Sequence, residues 1–115
     1  MRYGEVDPIS REEAEAAFVS ADTEKMCGAL VRITYHDSDY KWVQDQCLDF
    51  CRHHSADVRG VAVTCLGHLA RIHGKLDIRR VKTALMALRE DPAMGGRVVD
   101  ALDDIKMFMG VEILS

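Results

Sequence analysis

A set of apolar residues recurs in this chain at an interval of 36 residues. Met26, Ala29, Leu30 and Ile33 are followed by Ala62, Cys65, Leu66 and Leu69, and those by Val98, Ala101, Leu102 and Ile105. Within each set the spacing is i, i+3, i+4, i+7, which draws a stripe down one face of a helix. Such a stripe needs a surface to cover it, and its repetition at this period predicts helical pairs that cover one another by stacking. The expected fold class is all-α: three helical hairpins, six helices in all, stacked as a short right-handed α-solenoid. Solenoids present extended surfaces, so the expected role is binding, with the chemistry residing in the partner.

Helix punctuation agrees with six segments. Ser10 and Glu13 have the form of a capping box, opening a first helix that runs to about Ser20. Asp22 caps the second, which ends in the turn-rich run His36, Asp37, Ser38, Asp39. Asp39 opens the third, to about His54; Ser55 or Asp57 opens the fourth, to Gly74, a residue suited to a left-handed C-terminal position. Asp77 caps the fifth, with Ile78, Val81, Leu85 and Leu88 as its stripe, and Asp91-Pro92 begins the sixth, which Gly110 stops. The third and fifth helices align at an offset of 37, pairing Cys47 with Ala84, Leu48 with Leu85 and Cys51 with Leu88. The first helix fits the repeat worst, as a capping unit would.

At 115 residues one domain, 1–115, is expected. No apolar run approaches the roughly 18 residues that span a bilayer, so no membrane association is expected. The opening residues lack a hydrophobic signal core, which makes the cytoplasm the expected location. Net charge is −4, with five acidic and two basic residues through residue 21 and a near balance afterwards. No basic stripe of the kind that direct nucleic-acid binding requires is present. The four cysteines, Cys27, Cys47, Cys51 and Cys65, read as free thiols, since Cys65 is itself a member of the apolar repeat.

Residues 57–67 resemble the second-helix signature of HEAT repeats, with Asp57, the pair Val58-Arg59, then Ala62 and Leu66-Gly67. That resemblance implies that Asp57 and Arg59 link adjacent repeats through polar contacts. The other two units lack Val-Arg and Leu-Gly and follow the pattern by period and stripe alone. A further resemblance covers residues 20–109. Tyr35-His36-Asp37-Ser38-Asp39-Tyr40-Lys41-Trp42-Val43-Gln44, then Cys65-Leu66-Gly67-His68-Leu69-Ala70-Arg71-Ile72-His73, then Gly96-Arg97 and Asp100-Ala101-Leu102-Asp103-Asp104-Ile105 look like small bacterial HEAT-like proteins. Some of these act as immunity proteins of contact-dependent growth inhibition and related polymorphic toxin systems. The resemblance implies a toxin inhibitor that binds one cognate toxin domain, with a basic nuclease such as a uridylate-specific endoribonuclease as the expected kind. The alternative is a HEAT-repeat scaffold for another protein partner.

No constellation points to an enzyme. Cys47 and Cys51 lie about 40° apart around a helix, with His54 a turn beyond, but no Cys-x-x-Cys supplies further zinc ligands. His68 and His73 diverge by about 140° and His53 and His54 by about 100°, so neither pair has metal spacing. No Gly-x-Ser-x-Gly is present, and Gly95-Gly96 lacks the lysine of a phosphate loop; the pair reads as a place for close helix approach. No cofactor and no metal is expected.

The candidate partner-binding residues are polar and aromatic. Asp100, Asp103 and Asp104 fall at i, i+3, i+4, either a solvated helix face or an acidic patch facing a basic cleft. Asp37 and Asp39 would extend that patch. Tyr35, Tyr40 and Trp42 concentrate aromatic surface at one turn, where Trp42 either anchors an interface or packs under the third helix. His68 and Arg71 would face a groove lined by the even-numbered helices. Met107 and Met109 could support a weak self-contact or pack against the helix end.

Overall fold

A computed structural model describes residues 6–113; most of the opening residues read for a signal core, and the last two of the chain, lie outside them. Six helices follow in order among the described residues: α1 (Arg11–Val19), α2 (Thr23–His36), α3 (Tyr40–Phe50), α4 (Ala56–His73), α5 (Ile78–Leu88) and α6 (Gly95–Met109). Local chemistry sets most of the boundaries. Ser10 and Glu13 form both halves of the capping box. The side chains of Asp22, Asp39, Ser55 and Asp77 accept from backbone N–H groups of the helices that follow them. Gly74 and Gly110 end α4 and α6 in the left-handed region, at φ 62° and 68°.

Two boundaries differ from the sequence reading. Helix α3 ends at Phe50 rather than near His54, because Arg52 and His53 donate back to Asp49 and Phe50, and the Ser55 N–H donates to His53 Nδ1. These bonds tighten the chain into a turn before α4. Helix α6 starts at Gly95 rather than at Asp91-Pro92. The Asp91 carbonyl accepts from Met94 and Gly95, its Oδ1 accepts from Ala93, and its Oδ2 is taken by Arg59. Asp91 thus forms a separate turn tied to α4 instead of capping α6.

The even-numbered helices form one layer, with α4 packed between α2 and α6, and α3 lies across α4. Helix α1 covers α2, and α5 rests lightly on α3 and α6. Eleven of the twelve repeat residues are buried and Leu102 is packed at the core's margin. The stripe therefore faces inward in all three units, as stacked hairpins require. Arg59 binds units together by donating to the His53 and His54 carbonyls and pairing with Asp91 at 3.2 Å. Asp57 makes no ion pair among the described residues. Gln44, almost fully buried, accepts from the Asp77 N–H and pins the start of α5 to α3.

The close helix approach sits elsewhere than at Gly95-Gly96, where an added Cβ would meet nothing. At Gly67 it would lie 3.2 Å from the Ala101 Cα and 2.9 Å from Asp104 Oδ2, so α4 and α6 meet backbone to backbone there. All four cysteines are free, three of them buried. Burial pushes the Cys51 thiol up to about 12, and the hydrogen bond that Cys47 donates to Cys65, together with burial, pushes the Cys47 thiol up. These thiols are inert core residues. Among the described residues no group of three His, Cys, Asp or Glu side chains could hold a metal ion, and no helix is long and apolar enough to cross a membrane.

Candidate partner-binding face

The 36-residue interval that aligns the apolar stripes also aligns a second row of positions two residues further on. Two residues are about 200° around a helix, so this row points away from the core. In α2 it reads Gly28, Val31, Arg32, Tyr35; in α4, Thr64, Gly67, His68, Arg71; in α6, Asp100, Asp103, Asp104, Met107. Contacts across the layer join neighbouring members of this row, two of them, Tyr35 with Arg71 and His68 with Asp104, at the same interval. The Arg71 guanidinium donates to the Tyr35 hydroxyl at 3.1 Å, and the Tyr35 and His68 rings lie 5.4 Å apart. Asp104 stands beside both Gly67 and His68.

The chemistry changes in steps along this face. Between α2 and α4 lies an apolar socket of about 400 Å³, lined by Cys27, Val31, Tyr35 and His68. His68 and Arg71 follow, then the exposed carboxylates of Asp100 and Asp103, with Asp104 half-buried. Met107, 75% exposed, closes the row, whereas Met109 packs against the core. The structure thus brings together Tyr35, His68, Arg71 and Asp104 from three helices, with Asp100 exposed further along α6 and Asp103 lining a recess with Lys106 and Glu112.

The remaining candidates belong elsewhere. Asp37 and Asp39 do not extend the acidic row, because Arg11 of α1 covers them, at 3.3 Å and 2.9 Å. That hydrogen bond, with the Trp42 N–H, lowers the Asp39 carboxyl below its ordinary range. The same guanidinium lies 4.3 Å over the Trp42 ring, and Trp42 packs against the core. Tyr40 leaves the other aromatics and faces His73, at 6.0 Å. The aromatic concentration at the turn therefore splits three ways. Arg11 escaped the sequence reading; the interval of 36, applied to polar positions as well as apolar ones, places Met107, read there as a self-contact or a packed end residue, as the successor of Tyr35 and Arg71.

Burial lowers the His68 pKa from its ordinary value, the Arg71 charge lowers it further, and Asp104 opposes both. The folded protein thus favours neutral His68, while the unfolded chain takes up a proton near pH 6.5. This contribution to stability is complete above that pH and is lost as pH falls through the lowered folded value. His53 is lowered in the same direction by burial, His54 and Arg59. The expected result is that stability falls over the range below about pH 6.5, and that His68→Gln removes part of the fall while His53 retains the rest. Urea midpoints measured across that range check it; identical slopes for the two proteins would refute the role of His68.

No protein-family model matches the chain, and no curated protein matches it. Among solved structures, a chain in the crystal structure of a CDI complex from Cupriavidus taiwanensis LMG 19424 is similar to it. The TM-score is 0.82 and the identity 32%, over 94% of this chain and 97% of that one.

Proposed function

Since this chain belongs to the same family as the protein it matches in the CDI complex, we propose that it is a CDI immunity protein, which binds a cognate toxin domain and blocks it without catalysis of its own. The observation that carries this reading is a likeness extending over nearly the full length of both chains, at an identity too high for shared fold alone. The even-helix face supports it. Its socket, cationic middle and acidic end supply shape, hydrogen-bonding groups and charge on rigid helices, so little ordering cost attends binding. We assign partner contact to Tyr35, His68, Arg71, Asp100, Asp103 and Asp104, with Asp37, Asp39, Tyr40 and Trp42 shaping the neighbouring turn.

The acidic end favours a basic toxin cleft, which is the charge expected of a nuclease active site that holds phosphates. Occupied by these carboxylates, such a cleft excludes its RNA. The site of action is the cytoplasm, and the architecture is that of a HEAT-like repeat. The test is a nuclease assay with the toxin domain captured by this protein from its host. Protection of a target RNA should rise in proportion to added protein and be complete near an equimolar ratio. Protection at catalytic amounts, or none at any ratio, would overturn the proposal.

A further inference from the structure

A second surface lies on the odd-numbered helices, apart from the face assigned to the toxin, and it stands whether or not that reading holds. Between the end of α3 and the outer side of α5 runs a groove of about 750 Å³. It exists because α5 rests lightly on α3 while the chain turns sharply after Phe50. Leu48, Ala84 and Leu88 give it an aliphatic floor, and Arg52, Arg59, Arg79 and Arg80 stand around it, with Asp49 as the one carboxylate in the lining.

The four arginines are not equivalent. Arg59 is held by the His53 and His54 carbonyls and by Asp91, and Arg80 pairs with Asp45 at 2.7 Å. Arg52 and Arg79 are exposed and make no ion pair among the described residues. In a chain of net charge −4 this concentration of uncompensated cation over apolar surface is local. We infer that the groove docks an acidic protein segment carrying an apolar anchor residue. The anchor covers the aliphatic floor, and carboxylates flanking it reach Arg52 and Arg79, the guanidinium fork being suited to bidentate pairing.

RNA fits less well. Single-stranded nucleic acid needs a basic track with rings on which bases stack. The rings lining this groove are His53 and His54, stacked on each other at 4.3 Å, and His53 also leans on Phe50 at 5.9 Å.

The experiment is an amide chemical-shift titration of the full chain with the peptide acetyl-Glu-Glu-Phe-Glu-Glu-amide, a control with serine in place of phenylalanine, and an oligouridylate. The phenylalanine peptide should produce saturable shifts at Leu48, Cys51, Ala84 and Leu88, and the serine peptide should not. Arg52→Glu/Arg79→Glu, whose two sites are solvent-facing, should weaken the peptide by about tenfold or more at low salt. No saturable shift, equal binding of the serine control, equal binding by the double variant, or shifts of the same amides by oligouridylate at lower concentration would each overturn the inference. The peptide comparison on the unaltered protein is decisive even if the double variant folds poorly.

Discussion

Leu66→Ala is expected to cost about 2–5 kcal/mol of stability, the range for removing a large aliphatic side chain from a packed site that relaxes only partly. Leu66 is fully buried in α4, the helix against which α2, α3 and α6 all pack. Leu66 belongs to the inward-facing stripe of the core cluster, so its truncation leaves a cavity among packed side chains. The melting temperature should fall by about 10–20 °C. Val99→Ala, on the exposed side of α6 at 55% exposure, should change stability by no more than about 0.5 kcal/mol. Chemical denaturation of both variants makes the comparison. A loss below about 1 kcal/mol for Leu66→Ala would show that α4 is not the centre of the core.

Asp100→Lys/Asp103→Lys should slow association with the cognate toxin domain by about 10- to 1,000-fold at low ionic strength. Both carboxylates are exposed and neither forms an ion pair among the described residues, so the variant should fold with unchanged stability. The effect on the dissociation rate should be smaller, because rim charges act mainly by steering encounter. Raising the salt should weaken the unaltered complex and narrow the gap between the two proteins, as screening shortens the reach of the field. Stopped-flow or surface-binding kinetics across a salt series reads both quantities. Equal association rates at low salt would place the toxin's contact away from α6.

The fold was legible in the chain because two local signals agree with one global pattern. Capping residues at Ser10, Asp22, Asp39, Ser55 and Asp77 mark starts, and the apolar interval states which face each even helix turns inward. The start that failed, that of α6, was decided by a tertiary partner. Asp91 looks like an N-cap in sequence, but Arg59, 32 residues earlier, draws its carboxylate across to α4. The candidate site was legible in half. Tyr35, His68, Arg71 and the α6 carboxylates lie at positions the repeat itself aligns. Asp37, Asp39 and Trp42 are tied to Arg11, a partner the sequence did not offer because it comes from a helix that carries no repeat signal. The basic groove stayed hidden since its arginines are dispersed over residues 52–80, one in the turn after α3, one in α4 and two on α5, and only the packing of α5 beside α3 gathers them.

The row that faces away from the core has a consequence for how such a protein changes over generations. Its α6 members, Asp100, Asp103 and Met107, carry no part of the hydrophobic stripe two residues before them, so selection for a new partner and selection for folding act on different letters of the same helix. A lineage can exchange these side chains, reversing a charge or trading an anchor, while its thermodynamic margin stays where it was. Gly67 is the exception. Any retargeting that passes through that position must first move two helices apart.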